Sequence, residues 1–199
     1  VCIKPAGIPS QGEGLDAMPV RLAAEVGGEI YPVHRLDQAV GGVMVFARSR
    51  MAASILSGQI REHRFQKEYL AVVHGMLPAE GRMQDFLLRD RQDGMTRVAE
   101  AGTPGAKEAR LSYRVLARID DKTLVRVALE TGRTHQIRVQ LSERGFPLVG
   151  DVKYGGPRCG DGLKLHAVRL RVGEETYTAL PPWAGPWRVA HLPPEWEDV

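Results

Sequence analysis

Two segments of the sequence place charged side chains where a loop leads into a regular element. The first is His-Arg-Leu-Asp at 34–37, followed by glycines at 41 and 42 and the apolar run 43–47. An aspartate in a loop before a buried strand is well placed on a cleft floor, where its carboxylate is available as a nucleophile. Arg35, two residues from Asp37 in an extended segment, points to the same side. The alternative is an ordinary turn aspartate with a solvated neighbour.

The second segment is Thr-Gly-Arg-Thr-His-Gln-Ile-Arg at 131–138. Polar residues at a helix N-terminus form an anion site, because free backbone N–H groups point outward there. Thr134 is predicted to cap a helix that runs to about Arg144 and closes at Gly145. Arg138 lies beside the apolar positions of this helix, so we expect it to be partly buried with a carboxylate or phosphate partner. A purely structural ion pair is the alternative.

Two weaker signals follow the same logic. Tyr69, in Lys-Glu-Tyr at 67–69, enters a strand and either packs in the core or forms an aromatic platform on which a base stacks. Lys153 lies in the segment 150–156 and is a candidate phosphate contact. Asp151 and His166 could be read as an acid–base or metal pair, but the lack of a third nearby ligand argues against it.

Composition limits the classes of protein to which the chain can belong. With 199 residues, 43% of them hydrophobic, it can bury a core, and we expect one domain over 1–199. No apolar stretch is long enough to span a bilayer, and we expect no signal peptide at the start of the chain. Two cysteines are too few for a disulfide framework, which favours the reducing cytoplasm. A net charge of +3 permits a nucleic-acid partner without requiring one.

The surrounding pattern predicts the elements that position these residues. Residues 1–20 indicate a short strand and a loop, Ser49 is predicted to cap a helix, and 80–107 is expected to be a long polar excursion. Strand-like runs are separated by turn residues, and the long connections are irregular. We therefore predict an α+β fold with a mixed, largely antiparallel sheet. The predicted strands cover 43–47, 69–73, 109–115, 125–129, 163–172 and 176–180.

Taken together and in this order, the motifs resemble the RluA-type pseudouridine synthases. The resemblance also includes Lys-Pro-Ala-Gly at 4–7, Gly-Asp-Val-Lys-Tyr-Gly at 150–155 and Leu-His-Ala at 165–167, and it runs from residue 4 to about 170. It implies the pseudouridine-synthase fold, a bifurcated mixed sheet flanked by helices with a deep basic cleft. It also implies an RNA-modifying isomerase without metal or organic cofactor.

The resemblance also implies roles for individual residues. Asp37 would be the nucleophile and Arg138 its charged partner. Arg35 would help to displace the target nucleotide from its stem. Tyr69 would stack on the uracil and serve in proton transfer, above an active-site floor that includes Leu165.

RNA contacts are expected from the catalytic domain itself, in ribosomal or transfer RNA, and a monomer is the default. The candidates beside Arg35 are Lys4, Arg61, Arg64, Lys67, Arg133, His135 and Lys153. Two departures from the family pattern concern loop packing: Val40-Gly41 stand where Thr-Ser is common, and the tail lacks the usual His-Pro.

Two other classes of protein remain as alternatives. A non-catalytic RNA-binding scaffold or RNA chaperone would keep the basic surface but would not need Asp37, Tyr69 and Arg138, all of which are present. A metal-dependent nuclease would need clustered carboxylates, and Asp37 has no acidic neighbour in its motif. EDTA separates the two chemistries, because only the nuclease should stop.

Overall fold

The computed structural model describes residues 1–192 of the chain. Helices are α1 (Met18–Val26), α2 (Arg50–Arg61) and α3 (Gln136–Glu143), and short 3-10 helices cover Val152–Tyr154 and Gly185–Trp187. The strands are β1 (Cys2–Lys4), β2 (Tyr31–Pro32), β3 (Gly41–Met44), β4 (Phe46–Ala47), β5 (Phe65–His74), β6 (Glu80–Arg89), β7 (Thr96–Ala99), β8 (Lys107–Ile119), β9 (Lys122–Leu129), β10 (Leu165–Val172) and β11 (Glu175–Thr178).

One large mixed sheet dominates the fold and divides at β10. Its strand order is β1-β3-β10-β5-β9-β8-β6-β7, and β11 pairs with β10 outside this path. The first part of β10 pairs in parallel with β3, and its second part, Arg169–Val172, pairs antiparallel with β11. All other pairings in this sheet are antiparallel. The prediction of an α+β fold with a bifurcated, mixed sheet is therefore confirmed.

Gly42 permits the close approach of β3 to β10. Its φ is +131°, and a Cβ at this position would lie 2.2 Å from the carbonyl oxygen of Ala167. No larger residue can occupy such a position without moving one strand. The glycine after the aspartate loop is therefore needed for the parallel pairing that brings the loop to the start of β10.

A side-chain cap begins α2, and α3 packs into the main core. Ser49 accepts a hydrogen bond from the Ala52 N–H, which confirms it as the cap of α2. On α3, Ile137 and Leu141 join the main apolar cluster with residues of β5, β9 and β10. Because Leu36 and Val40 of the aspartate loop belong to the same cluster, the core holds the loop in place.

Three predicted elements were wrong. The segment 80–107 contains β6 and β7, a hairpin whose strands carry too many charged side chains to show a simple alternation. The run 43–47 divides between β3 and β4, which belong to different sheets. Thr134 does not cap α3, because the cap position is His135 and has no side-chain cap bond. Helix α1, within and after a segment interpreted as loop, was missed; Pro19 stands at its first turn.

Within the described residues, no helix combines the length and the apolar character needed to cross a membrane.

Candidate active site

One cavity of about 370 Å³ gathers residues from widely separated parts of the chain. It is lined by the loop that carries Asp37, by β5, by residues 132–135, by the start of α3 and by the first residue of β10. The predicted catalytic residues Asp37, Tyr69 and Arg138 all line it, as does the predicted floor residue Leu165.

The N-terminal segment holds the aspartate loop through the carbonyls on either side of Asp37. The Ser10 hydroxyl donates to the Leu36 carbonyl at 2.8 Å, and the Lys4 ammonium donates to the Gln38 carbonyl at 3.1 Å. Both contacts are made by buried side chains. Two charged or polar groups thus fix the backbone around Asp37, which leaves its side chain free for chemistry.

Lys4 does not lie where RNA could reach it, contrary to the sequence-based prediction. Its side chain is fully buried, and its ammonium donates to the carbonyls of Pro5, Ile8 and Gln38. Burial lowers the pKa of Lys4 to about 8, and the Asp37 carboxylate opposes that shift. Lys4 is therefore a structural cation beneath the aspartate loop, a position that spacing alone could not distinguish from a surface lysine.

Arg138 joins two carboxylates. Its Nε and Nη2 donate to the two oxygens of Asp151 at 2.8 and 2.7 Å, and Nη1 donates to Asp37 Oδ2 at 3.3 Å. The Arg138 and Asp151 side chains are 8% and 1% exposed. Burial alone would lower the pKa of Arg138, but the bonds and charges of Asp151 and Asp37 raise it. The expected buried arginine with a carboxylate partner is confirmed, and it has two partners.

The suggested pairing of Asp151 with His166 does not occur. Asp151 is bound by Arg138, whereas His166 Nε2 contacts the Ala179 carbonyl at 3.0 Å on the other side of the sheet from the cavity lining. Burial lowers the pKa of His166 to about 4, so it stays neutral. In residues 1–192 no three His, Cys, Asp or Glu side chains are grouped as a metal ion would require.

His135 lies beside the aspartate and contacts Tyr154. His135 has a left-handed backbone with φ of 55°, and its Nε2 lies 3.8 Å from Asp37 Oδ2. The Tyr154 hydroxyl lies 2.6 Å from His135 Nδ1, and the Arg138 guanidinium lies 4.9 Å from the centre of the Tyr154 ring. Sequence reasoning gave Tyr154 no role; its only signal was its place in the motif at 150–155.

Tyr69 forms the apolar wall of the cavity. Tyr69, on β5, belongs to the same buried cluster as Leu165 and Val40. Burial and the nearby Asp37 carboxylate raise the pKa of Tyr69, so the hydroxyl keeps its proton. Val40, one of the departures from the family pattern, contributes to this floor and is buried. The departure therefore changes packing rather than charge.

Three further cations line the same cavity. Arg35 donates to the Thr134 hydroxyl, which ties the aspartate loop to the segment before α3. Arg133 Nε donates to the Glu108 carbonyl at 2.7 Å. Lys67 lies two residues before Tyr69 on β5, burial lowers its pKa, and it has no ion-pair partner among the described residues. The lysine ammonium is thus available to an anion.

A second concavity continues from this cavity along the outer strands. It shares Arg133 and its neighbours with the cavity and has a volume of about 740 Å³. Its exposed cations are Arg89, Arg91 and Lys107, and none has a carboxylate at ion-pair distance within residues 1–192. We call this surface, with Arg133, the basic groove.

The other predicted RNA contacts lie outside the cavity. Lys153 is exposed and donates to the Gly94 carbonyl at 2.9 Å. Arg61 ends α2, and Arg64 lies 3.7 Å from Glu62 on the surface. Of the eight predicted RNA contacts, four line the cavity: Arg35, Lys67, Arg133 and His135.

Comparison with known proteins assigns the fold and these motifs to one family. A family model described as RNA pseudouridylate synthase matches residues 1–143. Ribosomal large subunit pseudouridine synthase D of Neisseria meningitidis serogroup A is 37% identical over 69% of this chain and 40% of its own length. tRNA pseudouridine synthase C of Pasteurella multocida is 32% identical over 82% of this chain and 73% of its own length.

A solved structure gives the same result. Human RNA pseudouridylate synthase domain containing 1 has a TM-score of 0.73 and 26% identity, over 90% of this chain and 77% of that one. The chain spans 64%, 45% and 40% of the length of the first curated relatives that it matches.

Proposed function

Because the chain belongs to the RNA pseudouridylate synthase family, we propose that it is an isomerase that converts a uridine in RNA to pseudouridine, with Asp37 as the nucleophile. The observation that carries the proposal is the Asp37 carboxylate, which lies in a cavity beside Tyr69 and is bound by Arg138 at 3.3 Å. The catalytic unit is proposed to be the single domain 1–199.

The reaction needs no group from outside the protein and the RNA. The bond between ribose and uracil N1 breaks, the ring turns over, and a bond to uracil C5 forms. C5 then loses its proton and N1 gains one, so nothing is oxidised or hydrolysed. A carboxylate that attacks either the sugar or the ring, with a group that moves a proton, is sufficient. We accordingly propose that no metal or organic cofactor takes part.

Arg138 supports the nucleophile by its charge. A carboxylate in a dry cavity loses hydration, and an adjacent cation compensates for that loss. Arg138 is itself neutralised by Asp151, so its position does not depend on Asp37. The pair therefore holds the carboxylate in place before substrate arrives, which is the property expected of a preorganised site.

Tyr69 is proposed to stack on the uracil and to act in proton transfer. Its ring lies in the cavity wall, and base stacking on an aromatic ring is worth about 1–3 kcal/mol. The raised pKa keeps the hydroxyl neutral. Tyr69 can therefore accept a proton only while it releases its own, which makes it a relay rather than a phenolate base.

The RNA is proposed to present an extruded nucleotide. A base inside a stem cannot reach Asp37, and extrusion costs a few kcal/mol. Arg35, at the cavity and in contact with Thr134, is placed to occupy the vacated position. Lys67, Arg133 and His135 are proposed to contact the extruded nucleotide, and Lys153 and the basic groove the flanking RNA.

The relatives suggest two classes of substrate. One is named for the ribosomal large subunit and the other for transfer RNA. We propose that the substrate is one of these two, in the cytoplasm, which the two free cysteines fit. A monomer remains the prediction.

The test is tritium release from RNA labelled at uracil C5. Wild type, Asp37→Asn and, as a matched control, the surface variant Asp16→Asn are incubated with total ribosomal RNA and with total transfer RNA. We expect release by wild type and Asp16→Asn from one of the pools, and none by Asp37→Asn. C5 loses hydrogen only when the new carbon–carbon bond forms, so release also names the RNA class.

Three outcomes would contradict parts of the proposal. Full turnover by a normally folded Asp37→Asn would remove the nucleophile assignment. Salt-sensitive RNA binding without release from either pool would favour an RNA-binding scaffold. Loss of release on addition of EDTA would instead indicate a metal-dependent reaction.

A further inference from the structure

The two oxygens of Asp37 have different surroundings. Oδ2 lies 3.3 Å from Arg138 Nη1 and 3.8 Å from His135 Nε2. Oδ1 has no hydrogen-bond partner among the described residues. Both groups lie at Oδ2, which leaves Oδ1 as the oxygen available for attack.

The contact between His135 Nδ1 and the Tyr154 hydroxyl bears on which nitrogen of His135 carries the proton. The Thr96 backbone N–H donates to the Tyr154 hydroxyl oxygen at 3.0 Å, and a backbone amide can only donate. A hydroxyl that accepts this bond still has its own hydrogen to donate, and His135 Nδ1 lies 2.6 Å away. In the neutral imidazole, an accepting Nδ1 leaves the proton on Nε2, which is the nitrogen that faces Asp37.

The backbone of His135 is held in an unusual conformation to make this contact. A non-glycine residue with φ near +55° is strained and persists only where its surroundings impose it. The conformation stands at the start of α3, three residues before Arg138, so both side chains reach the same carboxylate. The imidazole also packs edge-on against the Tyr154 ring at 5.5 Å.

We propose that His135 is a positioning residue for Asp37, which acts as a neutral Nε2–H donor to Oδ2 in a tautomer that Tyr154 imposes. The attacking atom is then Oδ1. This inference rests on the proposed function and changes the role of His135 from an RNA contact to a support for the nucleophile. The 3.8 Å separation shortens to a hydrogen bond when substrate fills the cavity.

The charges around His135 agree with a neutral ring. Burial lowers its pKa; Asp37 opposes this shift, while Arg138, Lys153 and Arg89 add to it. Tyr154, the remaining titratable group in contact, has its own pKa raised by burial and stays protonated.

The first experiment reads the tautomer directly, on the full chain without RNA. Imidazole ¹⁵N NMR at pH 7 is expected to show His135 with Nδ1 unprotonated and Nε2 protonated. The resonance is assigned by its absence in His135→Gln. Tyr154→Phe should give mixed tautomers. A wild-type ring protonated at Nδ1, or doubly protonated, would overturn the proposal whatever the protein does to RNA.

The second experiment measures tritium release. Loss of the donor in His135→Ala should lower kcat by about 10²-fold, as expected for a misplaced reacting group, with KM unchanged. His135→Gln, whose amide can donate in place of Nε2, should recover most of the loss. His63→Gln is the matched control, because His63 has the same left-handed backbone but is exposed. A raised KM with unchanged kcat would identify His135 as an RNA contact instead.

A double-mutant cycle separates positioning from general damage. If Tyr154 acts through His135, Tyr154→Phe lowers kcat in the wild type but not in His135→Ala. If the two losses in kcat multiply, Tyr154 acts independently of His135, and the proposed action of Tyr154 through His135 is overturned. Failure of wild type to release tritium would count against the proposed function alone, because the tautomer is measured without RNA.

Discussion

The cavity around Asp37 and the basic groove beside it differ in whether their cations are paired with carboxylates. At Asp37, the Arg138 guanidinium is buried and held by Asp151 through two hydrogen bonds. In the groove, Arg89, Arg91 and Lys107 are exposed, and within the described chain no carboxylate lies at ion-pair distance from any of them. The two regions meet at Arg133, which lines both.

The difference indicates that the cavity around Asp37 serves turnover and the groove serves RNA affinity. Charges compensated inside the protein are fixed before substrate arrives and are little affected by salt. Charges without a protein partner take RNA phosphates as partners and release counterions, which makes binding steeply dependent on salt. Changes at Asp37 should therefore alter turnover, and changes in the groove should alter affinity and its salt dependence. The predictions below test that separation.

After Asp37→Asn, the largest effect is expected from Tyr69→Phe. This change keeps the stacking ring and removes only the hydroxyl, so RNA affinity should stay within about threefold. Loss of a positioned proton-transfer group should lower kcat by about 10²–10⁴-fold. Tritium release under saturating RNA and filter binding measure the two quantities.

Tyr177→Phe serves as the control, since Tyr177 lies on β11 outside the cavity. Unchanged kcat in Tyr69→Phe would show that the hydroxyl takes no part in the chemistry. An equal loss of affinity and turnover would show that the Asp37 cavity also contributes to RNA affinity, contrary to the proposed separation.

Asp151→Asn should destabilise the protein as well as slow it. Removal of one charge from a buried pair leaves the other uncompensated, which costs about 3–5 kcal/mol. The free energy of unfolding, measured in urea, should fall by that amount, and kcat should fall because Arg138 no longer has a fixed position. RNA affinity should keep its salt dependence.

Asp16→Asn is the matched control, because its carboxylate pairs with Arg21 on the surface. No change in stability is expected there. Wild-type stability in Asp151→Asn would show that the buried pair of Asp151 and Arg138 is not a rigid support for Asp37.

The sequence could predict those parts of the two regions whose residues are close together in the chain, and not those formed by residues far apart in it. Asp37 and Arg138 were found because each lies in a motif whose residues are neighbours in the chain. Thr96 and Tyr154, which set His135, come together only through the β6–β7 hairpin, and that hairpin was interpreted as irregular. Lys4 was misplaced because no local pattern distinguishes a lysine beneath a loop from one on a surface.

The groove is a second case of the same limit. Its cations lie on three separate segments and meet only because β8 and β7 pair with β6 on opposite sides. Charge counting indicated a mildly basic chain, but not where the unpaired charge collects. The pairing of distant strands decides where the unpaired charge collects, and no local sequence pattern shows that pairing.

A triple change in the groove should affect binding alone. Replacement of three phosphate contacts should make the slope of log Kd against log salt shallower by about two to three. kcat at saturating RNA should be unchanged. Filter binding between about 50 and 200 mM salt, a range over which such contacts dominate, measures the slope. The variant combines Arg89→Gln, Arg91→Gln and Lys107→Gln.

The matched control removes the same charge from cations that have carboxylate partners. It should leave the slope close to that of wild type. An equal effect in both variants would show that net charge, rather than the groove, attracts RNA. The control combines Arg21→Gln, Arg114→Gln and Lys122→Gln, whose partners are Asp16, Glu80 and Asp121.

Lys67→Gln is expected to give the smallest effect and to locate the boundary between the regions. Lys67 lies in the cavity, yet like the groove cations it has no partner in the described part of the chain. Its loss should weaken binding, reduce the salt slope by about one and leave kcat within a fewfold. Because burial lowers the pKa of Lys67, wild type should take up a proton on binding, and lose affinity, as the pH rises toward that lowered pKa. The variant should lose that pH dependence, while Lys122→Gln, as control, should keep it. A large loss of kcat with unchanged salt slope would instead place Lys67 with the compensated charges around Asp37.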